Sequence, residues 1–235
     1  MLTLVVACIA ACSAPVPLTE EELISRANGF FEGDDFDLAI DDYHELLEQH
    51  PFSEYTETAT LKIAHAYYLA KKYDEAVAAF EDFERLNPGS PELPFVEYTV
   101  GLCWLDQALS ADRDKSATEK ALRQFEKLRE RYPDSIYGIL ADSRLAECKE
   151  NLADHELYVA EFYARTGKTA AGRERYRYIL ENYPASTAAQ AARAYLASSE
   201  SEQTSGAEPR QRDRQSNMFI FNSRSESLSS PKDSR

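Results

Sequence analysis

Four prolines stand at the ends of four closely similar segments: His50-Pro51, Asn87-Pro88, Tyr132-Pro133 and Tyr183-Pro184. Twelve residues before each proline is a small residue, Ala39, Ala76, Ala121 and Gly172. Eight before stand Tyr43, Phe80, Phe125 and Tyr176, and five before stand Leu46, Phe83, Leu128 and Ile179. A small residue, an aromatic four later and an apolar residue three after that fall on one face of a helix with 3.6 residues per turn. The proline then stops the helix, because it has no N–H to give and forces the residue before it into an extended conformation. A chain punctuated in this way folds as a series of short amphipathic helices.

A second pattern precedes each of these segments. Ile63-Ala64 with Tyr67 and Val100-Gly101 with Trp104 place an apolar residue, a small one and an aromatic three further on; Ala27 with Phe30 and Val159-Ala160 with Tyr163 do the same. Two helices that approach closely need the small residue, and the aromatic fills the space beside it. Together the two patterns describe the helix pair of the tetratricopeptide repeat. Caps and breakers predict ten helices, at roughly 19–31, 35–49, 53–70, 73–86, 91–111, 116–131, 135–151, 154–166, 169–182 and 186–198. The expected fold is an all-α tetratricopeptide-repeat solenoid of about five helix pairs over 19–198. From small residue to closing proline the third hairpin measures 32 residues (Gly101 to Pro133) against 24 in the others, so it is extended near Asp112-Arg113-Asp114.

The apolar run Leu2–Ala11 is half the length of a membrane-spanning helix and reads as the core of a signal peptide covering 1–11. Ile9-Ala10-Ala11-Cys12-Ser13 resembles a lipobox, making Cys12 the expected lipidated residue and 12–18 a lipid-anchored linker. Val5-Val6-Ala7-Cys8 fits the same pattern with a shorter apolar core. Ser13, rather than Asp, after the cysteine resembles the signal for transfer to the outer membrane. Cys103 and Cys148 fall in apolar helical settings and read as small buried hydrophobes. After Ser198 the chain turns polar, and 199–235 reads as a disordered tail.

The 41 acidic residues against 26 basic ones leave a formal charge of −15, which repels phosphate backbones and excludes nucleic acid as a main partner. The tail holds six acids and six bases, so this charge belongs to the body; between Thr19 and Gln49 eleven acids face Arg26 alone. No catalytic constellation is visible. Thr166-Gly167-Lys168-Thr169 lacks the earlier glycine and preceding strand of a phosphate-binding loop, and Gly167 reads as a helix C′ residue. The four histidines and four cysteines have no metal-ligand spacing, so neither a metal nor a cofactor is expected.

Stacked helix pairs create a groove lined by first helices. With the small residue at repeat position eight, Ile24, Asn28 and Phe31, then Leu61, His65 and Tyr68, then Tyr98, Leu102 and Leu105 fall on this face, and Asn28, Phe31, Leu61, His65, Tyr68, Tyr98 and Leu102 are the expected groove residues. The alternative is that these aromatics pack between repeats. Arg165, Lys168, Arg173, Arg175 and Arg177 form the one basic cluster, either a docking face or a solvated helix surface.

The order and spacing of these features resemble the BamD family of outer-membrane assembly lipoproteins over about Thr19 to Leu196. The resemblance rests on His50-Pro-Phe-Ser-Glu-Tyr55 with Leu61 and Ala66-Tyr67-Tyr68, on Phe83-Glu-Arg-Leu-Asn-Pro88, on Pro91 with Tyr98 and Gly101-Leu102, on the extended hairpin, and on Tyr158-Val-Ala-Glu-Phe-Tyr163 with Gly167. It implies a non-enzymatic subunit on the periplasmic face of the outer membrane, lipid-anchored there. It implies unfolded outer-membrane β-barrel proteins as groove ligands, and a contact to a periplasmic POTRA domain of BamA through Arg165, Arg173, Arg175 and Arg177. The third hairpin is shorter than in well-known members, and the polar end replaces their helical continuation. A periplasmic tetratricopeptide lipoprotein of the Tol-Pal or cell-wall coordination type is the alternative.

Overall fold

The computed structural model describes residues 17–108 and 115–206, with 200–206 as backbone. Among the described residues all regular structure is helical: α1 (Glu20–Glu32), α2 (Phe36–Gln49), α3 (Thr56–Leu69), α4 (Tyr73–Leu86), α5 (Leu93–Gln107), α6 (Ser116–Arg131), α7 (Ile136–Arg165), α8 (Thr169–Asn182) and α9 (Thr187–Gly206). The chain forms two compact units, divided between Leu152 and Ala153. In the first, each helix from α1 to α6 packs on the next in chain order, as stacked pairs require. In the second, α8 packs on α9. No helix among the described residues is long and apolar enough to cross a membrane. Cys12, the signal-peptide reading of 1–11, Asp112-Arg113-Asp114 and the tail from 207 lie outside the described residues.

The four prolines act as expected. His50, Asn87, Tyr132 and Tyr183 are the C-caps of α2, α4, α6 and α8, at φ −129, −126, −133 and −131° and ψ 63, 59, 55 and 50°, outside the helical region that a following proline disfavours though short of fully extended backbone. Each cap N–H donates to the carbonyl of the apolar repeat residue four back: Leu46, Phe83, Leu128 and Ile179. The turns within the pairs are also alike. The N–H groups of Asp35, Lys72 and Lys168 reach back to the carbonyls of Phe30, Tyr67 and Tyr163, each at 2.9 Å. This closure needs a left-handed residue just before the donor. Gly167 supplies it at φ 77°, while Asp34 (61°) and Lys71 (59°) adopt it without glycine's freedom.

The small residues of both patterns, Ala27, Ala39, Ala64, Ala76, Ala121 and Ala160, are fully buried, as are the second-helix aromatics Tyr43, Phe80 and Phe125. Three apolar clusters fill the first unit and one fills the second. Cys103 and Cys148 are free and wholly buried, and burial pushes both thiols up to about 12, so they are unreactive core residues. Carboxylates also enter the core of the first unit: Asp42, 8% exposed, is one, and Glu97 is the more deeply buried. Glu97 of α5 is 1% exposed and meets Arg131 and Lys127 of α6, which also hold Glu84 of α4 at 2.8 and 3.5 Å. This cluster ties the second helix pair to the third.

Two expectations are corrected. The helices predicted at 135–151 and 154–166 are a single helix, so the ten predicted segments form nine helices among the described residues. The stretch from Asn151 to Asp154 is polar at both ends but holds neither proline nor glycine. Each polar residue costs only about 0.7 kcal/mol in a helix interior. Leu152 and Ala153 are 3% and 0% exposed, and their burial outweighs that cost. The last helix likewise runs beyond the expected end at 198, to Gly206.

Candidate functional site

Along the first unit runs a chain of ring contacts contributed by α1, α2, α3, α5, α6 and α7. Phe31 meets Phe36 at 5.8 Å between centroids and His65 at 5.6 Å; His65 meets Phe95 at 5.3 Å. Phe95 then meets Tyr137 at 5.6 Å, Tyr137 meets Tyr98 at 5.5 Å, and Tyr98 meets Phe125 at 5.7 Å. Most pairs are tilted or edge-on, the arrangement that ring quadrupoles favour. Phe125 is fully buried, whereas Phe31, His65, Phe95, Tyr98 and Tyr137 are half-buried. They are neither pure core nor pure surface.

Polar groups edge this row. The Lys62 ammonium lies 4.1 Å from the Phe31 ring centroid, a cation–π contact. Arg144 donates from Nε to the Tyr98 hydroxyl at 3.2 Å and from Nη1 to Glu147 at 2.8 Å. The Tyr68 ring stacks on His65 at 6.4 Å, and its hydroxyl donates to Asp106 at 3.1 Å. Burial, reinforced by Asp106, holds that phenol well above its ordinary range, so it stays protonated. Burial, followed by the neighbouring Lys62, lowers the His65 imidazole, which is therefore neutral at pH 7. A pocket of about 410 Å³ opens beside this histidine, with Leu61, Lys62, His65 and Phe95 among its lining residues.

The structure thus brings Phe31, His65, Tyr68 and Tyr98 into one connected row of rings, with Leu61 in the adjoining pocket. Leu102 packs with Tyr98 against the third cluster. Asn28 is absent from the ring row; its side-chain oxygen accepts the buried Tyr43 hydroxyl at 2.7 Å, a bond within the first helix pair. Phe95 and Tyr137 were missed by sequence. Phe95 lies one helical turn before Tyr98, so the same periodicity carried one step earlier finds it. Tyr137 sits in a segment that no proline ends, so nothing in the sequence set its register.

Three basic residues of the second unit, Arg165, Arg175 and Arg177, are matched by acids. Arg175 donates to Glu156 at 2.9 Å, and Glu156 is 2% exposed. Arg165 pairs with Glu161 at 3.5 Å, Arg177 bonds Glu174, and Arg173 is half-buried on α8. Lys168 lies 5.8 Å from the Tyr163 ring centroid. Near the same helices Tyr158 and Phe162 are 43% and 47% exposed, large aromatics for a free surface. Among the described residues no group of three His, Cys, Asp or Glu side chains is placed to hold a metal ion.

A family model described as YfiO, outer membrane lipoprotein, matches residues 18–215. The chain is 28% identical over 188 residues to the outer membrane protein assembly factor BamD of Caulobacter vibrioides, covering 77% of this chain and 62% of that one. It is 30% identical over 176 residues to that of Xylella fastidiosa, covering 71% and 60%. For that of Vibrio cholerae the identity is 29% over 198 residues, covering 80% and 82%. The chain therefore spans about three fifths of the length of the first two relatives. Among solved structures, the TPR2AB domain of yeast Sti1 overlaps at a TM-score of 0.42 and 16% identity, covering 70% of this chain and 64% of that one. So loose an overlap leaves the repeat assignment resting on the helix pairs themselves.

Proposed function

The chain belongs to the YfiO family of outer membrane lipoproteins, and on that basis we propose that it is a non-enzymatic subunit of the machinery that assembles β-barrel proteins into the outer membrane. In this reading the ring row of the first unit holds extended, aromatic-rich segments of unfolded barrel proteins. The basic face of the second unit docks on a periplasmic POTRA domain of BamA. Cys12 carries the lipid, and its two or three acyl chains keep the protein on the periplasmic face of the membrane where one chain would not.

The observation that supports the groove is the continuity of half-buried rings from Phe31 to Tyr98 across three helix pairs. An extended chain presents a side chain to one face every second residue, and a row of aromatic faces accepts such side chains with little demand on sequence. A charged docking face sets encounter rate and register more than affinity. Arg175 is a poor place to test it, because removing the arginine takes a partner from the buried Glu156 carboxylate and is costly to folding. Arg165 and Arg177 pair with exposed acids and can be reversed without that penalty.

The test is a mild-detergent pull-down of the tagged, lipidated protein from its native membranes. Recovery of a POTRA-containing barrel protein, lost on reversing Arg165 with Arg177, is expected. Recovery of Tol-Pal or cell-wall proteins instead overturns the assignment. For the groove, Tyr68→Ala with Tyr98→Ala should abolish binding of an aromatic-rich peptide while the circular-dichroism spectrum stays helical. Binding that survives the double change removes the groove from the mechanism.

A further inference from the structure

The pocket beside His65 differs in charge from the rest of the ring row. Its floor is Leu61, His65 and Phe95, and its rim carries three exposed carboxylates: Glu54 and Glu57 at the start of α3, and Glu92 just before α5. Ser90 donates to Glu57 at 2.7 Å, which ties the loop between the second and third pairs to α3 and holds both walls in place. The same serine accepts from the Glu92 N–H at 3.2 Å, fixing the third acid to that wall. Lys62 also lines the pocket, its ammonium 4.1 Å over the Phe31 ring, so three carboxylates stand against one ammonium. With His65 neutral, the rim is left with an excess of negative charge.

Tyr55, next to Glu54 in the chain, is held above its ordinary range, first by Glu54 and then by burial, with Glu21 and Glu20 of α1 adding to the effect. The pocket is thus an apolar and aromatic floor beneath an acidic rim, open to solvent. A long cationic side chain fits that combination, since its methylene stem lies on apolar surface while its charged head stays among carboxylates and water.

Building on the groove reading, we propose that this pocket selects, within an extended client segment, a lysine or arginine next to an aromatic or branched apolar side chain. The stem lies across His65 and Phe95, and the ammonium or guanidinium is shared by Glu54, Glu57 and Glu92. The ring row gives affinity for apolar content, and the pocket adds a preference for charge sign and sets where along the row the segment stops. A single exposed ion pair is weak. Three carboxylates around one cation should together give a preference of roughly tenfold at low salt, and screening should erode it.

The experiment uses the full chain and fluorescein-labelled extended peptides of about twelve residues, alternating aromatic or aliphatic with polar residues. The peptides differ only at one central position, which is Lys, Gln or Glu, and affinity is read by anisotropy at low and high salt. For the wild-type protein the expected order is Lys, then Gln, then Glu, with the Lys peptide roughly tenfold tighter than Gln. In the variant carrying Glu54→Gln, Glu57→Gln and Glu92→Gln the three peptides should converge. Glutamine preserves the acceptor for Ser90, so the walls stay tied. Equal binding of Lys and Gln peptides to the wild type overturns the pocket proposal and leaves the groove standing. So does a preference that survives in the triple variant. If no peptide binds a wild-type protein that is helical by circular dichroism, the groove reading falls and this proposal falls with it.

Discussion

The small residues show how narrowly the helix contacts are set. A methyl group added at Gly101 would sit 2.5 Å from the Phe125 ring, inside any van der Waals distance, whereas one added at Gly29 would meet nothing within 4 Å. Gly101→Ala should therefore cost about 2 kcal/mol through overpacking. Gly29→Ala, in an exposed part of α1, should raise stability by about 0.5–1 kcal/mol. Urea unfolding of the two variants checks both signs. His65 carries a pH dependence. Its imidazole is lowered in the folded state by burial and by Lys62, so as pH falls the unfolded chain binds a proton before the folded chain does. Its contribution is intact above roughly pH 6.5 and is lost below it. His65→Gln should therefore show a smaller fall in urea midpoint between pH 7.5 and 5.5 than the wild type, and an equal fall would show that the ring is not shielded. At this scale the fully buried small and aromatic positions were legible, because spacing names them. Side-chain partners such as Asn28 with Tyr43 were not, since they join residues 15 apart through a contact that exists only once two helices pack.

Between the pairs, one turn is used four times. After each proline and one further residue comes a serine, Ser53, Ser90, Ser135 and Ser186, whose N–H donates to the carbonyl of the residue before the proline at 3.0, 3.1, 3.1 and 3.0 Å. Each serine hydroxyl then accepts an N–H at or near the start of the next helix: Tyr55, Glu92, Gly138 and Ala189. The motif ends one helix and caps the next within four residues. Ser135→Ala and Ser186→Ala, where the hydroxyl caps α7 and α9, should each cost about 1 kcal/mol. Ser→Asn at either site should recover most of that loss, and thermal unfolding of the four variants reads both effects. The Pro-x-Ser spacing is plain in the sequence, yet only the hydrogen bonds show it to be one device. Continuity of α7 was illegible for a different reason. Asn151 and Asp154 carry the marks of a helix end, and whether they make one depends on the burial of Leu152 and Ala153 between them.

Across the molecule, charge is distributed unevenly. Arg26 holds Asp42 through two bonds of 2.6 and 2.8 Å and Glu45 at 3.0 Å, so the single base of the first helix pair answers only two of its eleven acids. The remaining repulsion favours the expanded chain, and salt screens it. Raising sodium chloride from about 0.05 to 0.5 M should increase the melting temperature by a few degrees, as roughly 1 kcal/mol would for a chain of this size; a decrease would mean that ion pairs outweigh the repulsion. The sequence by itself determined the helical class, the pairing of helices, their proline-set ends and the interior positions of the repeat. Each follows from backbone sterics and 3.6-residue periodicity, which act over a few residues. Tertiary structure alone decided that rings from six helices meet in one row, that Lys62 caps it while three glutamates rim its pocket, and that Arg175 serves a buried Glu156. These contacts join residues far apart in the chain, and their geometry is set by how closely the helices pack.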